Sequence, residues 1–164
     1  MLSPELLANF NDQINKEIYS AYLYLAMASY AKSKGLEGIA NWFNVQVREE
    51  LAHARKLYEY VNAKEERVIF KTVDEPPQNF TSATDLFEKT LSHEKKVTKL
   101  IDNLINTAKM ENDKAAEDFL QWFVKEQVEE ESNAAAVLNK IKSADKDNEK
   151  LMIIDKELAK RTMD

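Results

Sequence analysis

Glu50 and His53 stand three residues apart on a stretch with helical periodicity, so both side chains leave one face and can reach the same metal ion. Alone, such a pair is usually helix-surface chemistry. It gains weight because acids recur in the middle of three other periodic stretches, at Glu17, Glu94 and Glu130. Each of these falls on an inward position of a 4–3 seam. The seams read Leu7, Phe10, Ile14, Glu17, Ala21, Tyr24, Ala28; then Ile39, Phe43, Gln46, Glu50, His53, Leu57, Tyr60; then Ala83, Phe87, Thr90, Glu94, Val97, Ile101, Leu104, Ala108; and last Ala116, Leu120, Phe123, Gln127, Glu130, Ala134, Val137, Ile141.

Helices of similar length packed side by side bring these acids to one height. Ionised carboxylates facing each other in an apolar core lose hydration and repel, at a cost of several kcal/mol for even one unpaired charge. A multivalent cation relieves both penalties. Oxygen-rich ligation with a single imidazole suits a hard or borderline transition metal, and bridging carboxylates favour two ions roughly 3.5–4 Å apart; iron is the expected metal. The rival reading of the same layer is a structural bundle whose buried polar residues fix register, and stoichiometric iron binding separates the two.

Neighbouring residues divide by direction. Gln46 is expected to hydrogen-bond the ligands. Tyr24 is read either as packing or as a group that hydrogen-bonds a ligand or supplies an electron. His93 points about 100° away from the Glu94 seam and is expected to be solvated or bonded at the surface. Glu49, Glu126, Glu129 and Glu131 read as a solvated acidic face, against which Glu126 and Glu130, four residues apart, can combine with Glu129 as a further cation site.

The elements that must carry this layer are helices. Ser3, Pro4 and Glu5 open a first stretch over about 3–34, and Gly35 and Gly38 separate it from a second over about 39–64. Ser82 and Asp85 open a third over about 82–110, a fourth runs over about 113–142, and Asp145 to Asn148 precedes a short last helix over about 147–162. Between the second and third, residues 65–81 contain Pro76 and Pro77. Those residues can reach ~55 Å, more than the ~40 Å of a 26-residue helix, so the link can cross the whole bundle.

Composition agrees with one all-α domain over residues 1–164: 44 % of residues are hydrophobic, while two glycines and three prolines leave little for tight turns. The absence of cysteine removes disulfides and thiolate metal sites. No apolar run approaches a membrane span, and a cytoplasmic protein with no membrane contact is expected. A net charge of −6, with acids spread along the chain, favours cations over nucleic acid as partners.

The segments NDQINKEIYSAYLYLAMASY, EELAHARKLYEY and FLQWFVKEQVEEE resemble the ferritin family, in particular its haem-free bacterial and archaeal members. The resemblance covers nearly the whole chain. It implies a ferritin-like four-helix bundle with one long crossover and a short fifth helix, acting as a ferroxidase that oxidises Fe(II) with O2 or H2O2 and stores Fe(III) mineral. On that resemblance Glu17, Glu50 and His53 hold a first iron, and Glu50, Glu94 and Glu130 a second, with Gln127 nearby. A third iron maps to Glu49, Glu126, Glu129 and Glu130. The resemblance also implies a homo-oligomeric shell of twenty-four subunits. Two departures matter. Where related di-iron proteins repeat Glu-x-x-His on the fourth helix, this chain has Gln127-Val128-Glu129-Glu130, and Ala52 stands where bacterioferritins carry a haem-binding methionine. Haem is therefore not expected.

Overall fold

Ser3 accepts the Leu6 N–H on its Oγ at 3.0 Å with Pro4 in the first turn, and so starts a helix where the sequence places one. The computed structural model describes residues 1–144 and 146–163, so Asp145, at the expected break before the last helix, and Asp164 lie outside the described residues. The helices are α1 (Pro4–Ser33), α2 (Glu37–Ala63), α3 (Ala83–Met110), α4 (Lys114–Ala144) and α5 (Asn148–Leu158), with no strand among the described residues. At the head of α3, Ser82 accepts the Asp85 N–H and Asp85 accepts the Thr81 N–H, each at 3.0 Å, a reciprocal cap.

The core consists of two apolar clusters with the polar layer between them. One contains Tyr24, Phe43, Phe87 and Val137; the other contains Phe10, Leu57, Val97 and Phe123. Along α1 the chain passes from the second cluster to the first, and α2 returns. α3 then runs in the same direction as α2, and α4 returns again. The parallel α2–α3 pair requires the link to traverse the bundle, and it does: Val68 packs in the cluster where α2 ends and Phe80 in the one where α3 begins. Along its way Asn15 donates to the carbonyls of Lys71 and Thr72, and Asn11 Oδ1 accepts the Ile69 N–H at 3.1 Å. This is the expected four-helix bundle with one long crossover and a short fifth helix.

Three details differ from the sequence reading. Leu6, not Leu7, is fully buried at the start of α1, because the first turn leans its apolar stripe one residue earlier. Gly38 belongs to α2 instead of preceding it. A Cβ there would lie 1.6 Å from the Asp155 carbonyl oxygen, so glycine at this point serves the approach of α5. The Asp155 carboxylate accepts the N–H groups of Gly38 and Ile39 at 3.0 and 2.8 Å, satisfying the first turn of α2 from a distant helix. Lastly, α5 stops at Leu158 because the following residues turn back on α2, where the Asn41 amide donates to the carbonyls of Leu158 and Arg161 at 3.2 and 3.1 Å.

Candidate metal centre

Each of the four long helices contributes acids or amides to the layer because its seam carries them between two apolar blocks. Glu17, Glu50, Glu94 and Glu130 are at most 4 % exposed, and His53 is 5 % exposed. Two sets of ligand atoms lie within 4.8 Å of one another: Glu17, Glu50 and His53 make one, and Glu50, Glu94 and Glu130 make the other. Glu50 belongs to both, which is the arrangement a bridging carboxylate needs. A third set joins His53, Glu126 and Glu130.

The imidazole belongs to the first and third of these sets. His53 Nδ1 lies 3.4 Å from Glu50 and 3.9 Å from Glu17, while Nε2 lies 3.5 Å from Glu126. Its Nδ1 therefore faces the first position and Glu126 can fix the tautomer from the other side. Burial opposes the imidazolium, yet hydrogen bonding to Glu126 and Glu50, with the charges of Glu50 and Glu17, outweighs it and raises the His53 pKa to about 11. Burial also raises Glu94 to about 7 and Glu130 to about 8, and lifts Glu50 well above the carboxylate range. The raised values all favour protonated forms, which lessen the repulsion among the buried carboxylates.

Hydrogen bonds orient the carboxylates. Gln13 donates to Glu17 Oε1 at 2.7 Å. Gln46 donates to Glu130 at 2.6 Å and to Glu50 at 3.3 Å. Gln127 donates to Glu94 Oε2 at 3.1 Å, so its amide nitrogen serves Glu94 directly. Tyr24, fully buried, donates its hydroxyl to Glu94 Oε1. Burial and then the Glu94 charge raise Tyr24 well above an ordinary phenol. Glu17 Oε2 is buried without a hydrogen-bond partner, an orphaned acceptor of the kind a metal ion satisfies. Buried oxygen donors, one imidazole and an unsatisfied carboxylate oxygen fit iron.

The residues expected at a third position are less closely gathered. Glu126 and Glu130 join His53, whereas Glu129 is exposed. Glu49 is held by Arg161. All four acids line a cavity of about 620 Å³ that also meets His53 and Trp122. His93 is half-buried instead of solvated. It bonds Ser20 Oγ at 2.7 Å and sets its ring against Tyr24 at 5.9 Å, and burial lowers its pKa to about 4. The outward turn of the helix aims it at α1, where Ser20 receives it. Gln13 and Arg161 were not anticipated. Gln13 could have been found as the residue four before Glu17; nothing local announces Arg161.

Comparison with known proteins agrees with this architecture. A family model described as a ferritin-like domain matches residues 7–144. A bacterial non-heme ferritin of Staphylococcus aureus is 40 % identical over 164 residues, covering 100 % of this chain and 99 % of its own. That of Staphylococcus epidermidis is 39 % identical over 162 residues, covering 99 % and 98 %. Among solved structures, an open-pore ferritin of Archaeoglobus fulgidus superposes with a TM-score of 0.97 at 45 % identity, covering 99 % of this chain and 100 % of the other. A closed form engineered from the Archaeoglobus fulgidus ferritin gives 0.98 at 44 %, covering both chains fully.

Proposed function

The chain belongs to the ferritin family, and from that premise we propose that it oxidises Fe(II) at the mid-bundle layer and stores the Fe(III) as mineral inside a homo-oligomeric shell. The observation that carries the reading is the sharing of Glu50 by two buried ligand sets. In this reading Glu17, Glu50 and His53 hold one Fe(II), and Glu50, Glu94 and Glu130 the other. Each ion gives up one electron, and O2 accepts both with two protons and leaves as H2O2. Carboxylates favour the ferric product because they are hard, anionic donors. Gln13, Gln46, Gln127 and Tyr24 hold the carboxylates in place, which keeps the two ions at a fixed separation. A twenty-four-subunit shell in the cytoplasm, without haem, completes the proposal.

Two further features favour it. The layer repeats across four helices that are otherwise apolar at this depth, so it is costly to keep without a charge-compensating ligand. No described helix is long and apolar enough to cross a membrane. The experiment is anaerobic titration of the metal-free protein with Fe(II), followed by oxygen uptake and particle mass. Two Fe(II) bound per subunit, and consumption of one O2 for those two ions, are the expected results. Binding of no iron at stoichiometric loading would leave the layer as a structural device.

A further inference from the structure

The chain beyond α5 returns toward the buried polar layer, where Arg161 meets Glu49 and Gln46. Arg161 donates from Nη2 to Glu49 Oε2 at 2.6 Å and to Gln46 Oε1 at 2.7 Å, and from Nη1 to the Trp42 carbonyl at 3.1 Å. Its guanidinium carbon sits 4.4 Å over the Trp42 ring. The Arg161 and Glu49 side chains are 18 % and 17 % exposed, so water screens their attraction only in part. A cation over an aromatic ring on one side and several directed donations on the other suit the guanidinium of arginine.

We propose that Arg161 is a built-in counter-cation that holds Glu49 in place of a third divalent ion, so that an ion drawing on Glu49 binds the cavity only by displacing the guanidinium. The inference rests on the two-iron reading given above. Arg161 lines the same cavity as Glu49, Glu126, Glu129 and Glu130, so an ion drawing on these acids competes with it for one carboxylate. A guanidinium cannot escape by losing its proton, so the competition is settled by displacement. The same contact orients Gln46. With its carbonyl taken by Arg161, that amide must present Nε2 to Glu130 and Glu50. Arg161 is thus a positioning residue that acts through Gln46 on the central pair and through Glu49 on the third ion.

The test is calorimetric titration of the metal-free protein with Zn²⁺, which binds without redox chemistry, in the native chain, Arg161→Gln and Arg161→Lys. In the native chain, two tight ions per subunit and one weaker ion are expected. Arg161→Gln should tighten the weaker step at least about tenfold, because removing a positive charge relieves competition at Glu49. Arg161→Lys should leave the weaker step within about threefold of native, because the charge is retained. An unchanged or weakened third step in Arg161→Gln would overturn the inference. So would equal tightening in both variants, which would mean that stacking, not charge, is responsible. Arg161→Met replaces Arg161→Gln if circular dichroism shows the latter unfolded. Absence of the tight steps in the native chain would instead overturn the two-iron reading and the inference with it.

Discussion

Asp155 caps Gly38 from a helix more than a hundred residues away in sequence: its carboxylate accepts the Gly38 N–H at 3.0 Å while its backbone oxygen occupies the space a Cβ would need. α5 is therefore fastened to the start of α2 by a hydrogen bond and a close approach that only glycine permits. Gly38→Ala should push α5 away, since a backbone atom at 1.6 Å cannot rotate aside as a side chain can. Hydrogen exchange should rise across α5 and leave the centres of α1 to α4 protected. Native-like protection of α5 in this variant would show that the junction relaxes easily.

Removing ligands should have unequal effects according to how many sets each serves. Glu50→Ala should abolish tight binding of both Zn²⁺ ions, whereas Glu17→Ala should retain one, since Glu50 is shared and Glu17 is not. Initial Fe(II) oxidation should fall at least about tenfold in Glu50→Ala and His53→Ala, through loss of ligands to the redox pair. Retention of both ions in Glu50→Ala would contradict the bridging role.

Metal binding should release protons and strengthen with pH. With Glu94 raised to about 7, Glu130 to about 8 and His53 to about 11, all three hold protons at pH 6 that a bound ion must expel. Raised folded-state pKa values also fix the sign for stability. The carboxylates stabilise the metal-free fold fully below their unfolded pKa near 4.5, and that contribution disappears as pH rises through about 7 and 8. His53 adds a contribution lost only above its unfolded value of 6.5, on the way to about 11. Melting of the metal-free protein should accordingly drop by roughly 5 °C or more between pH 5 and 8, and Zn²⁺ should reverse the drop. A melting temperature that climbs with pH over this range would refute the assignment of these shifts.

Tyr24→Phe should keep both ions but weaken the second by about tenfold at pH 6.5, because a hydrogen bond to a charged group is worth about 1.5 kcal/mol. Loss of the hydroxyl leaves Glu94 Oε1 without its donor and makes its ionised form harder to reach. Calorimetry at pH 6.5 and pH 8.5 reads the difference, which should shrink at the higher pH. Equal affinities in the two proteins would leave Tyr24 as packing alone.

The seams of Glu17, Glu50, Glu94 and Glu130 were readable because helical period is a local property, and burial at this depth follows from it. Their meeting at one height was readable for the same reason: apolar blocks of matched length flank each acid. Arg161 was not, since its partner Glu49 lies 112 residues away and is reached only after the chain leaves α5. The role of Gly38 was hidden likewise. Viewed locally a glycine signals a break, while the close approach of Asp155 that keeps it inside α2 is tertiary. The partner of His93 is hidden for the same reason: its angle on α3 excludes the seam but does not reveal that Ser20 of α1 lies beside it.

The crossover between α2 and α3 also divides the two ligand sets by the length of chain that must close to form them. Glu17, Glu50 and His53 all lie on the α1–α2 hairpin, whose closure requires only a short turn, so the first ligand set can assemble from contacts local in sequence. The second set needs Glu94 and Glu130, which arrive only when the α3–α4 hairpin docks across the long link. One ligand set can therefore form in a half-folded chain, and the other is a record that the two hairpins have met. Divalent ions added during refolding should accordingly stabilise an early species through one site and the native bundle through two, so that a cation becomes a reporter of the order in which the halves join.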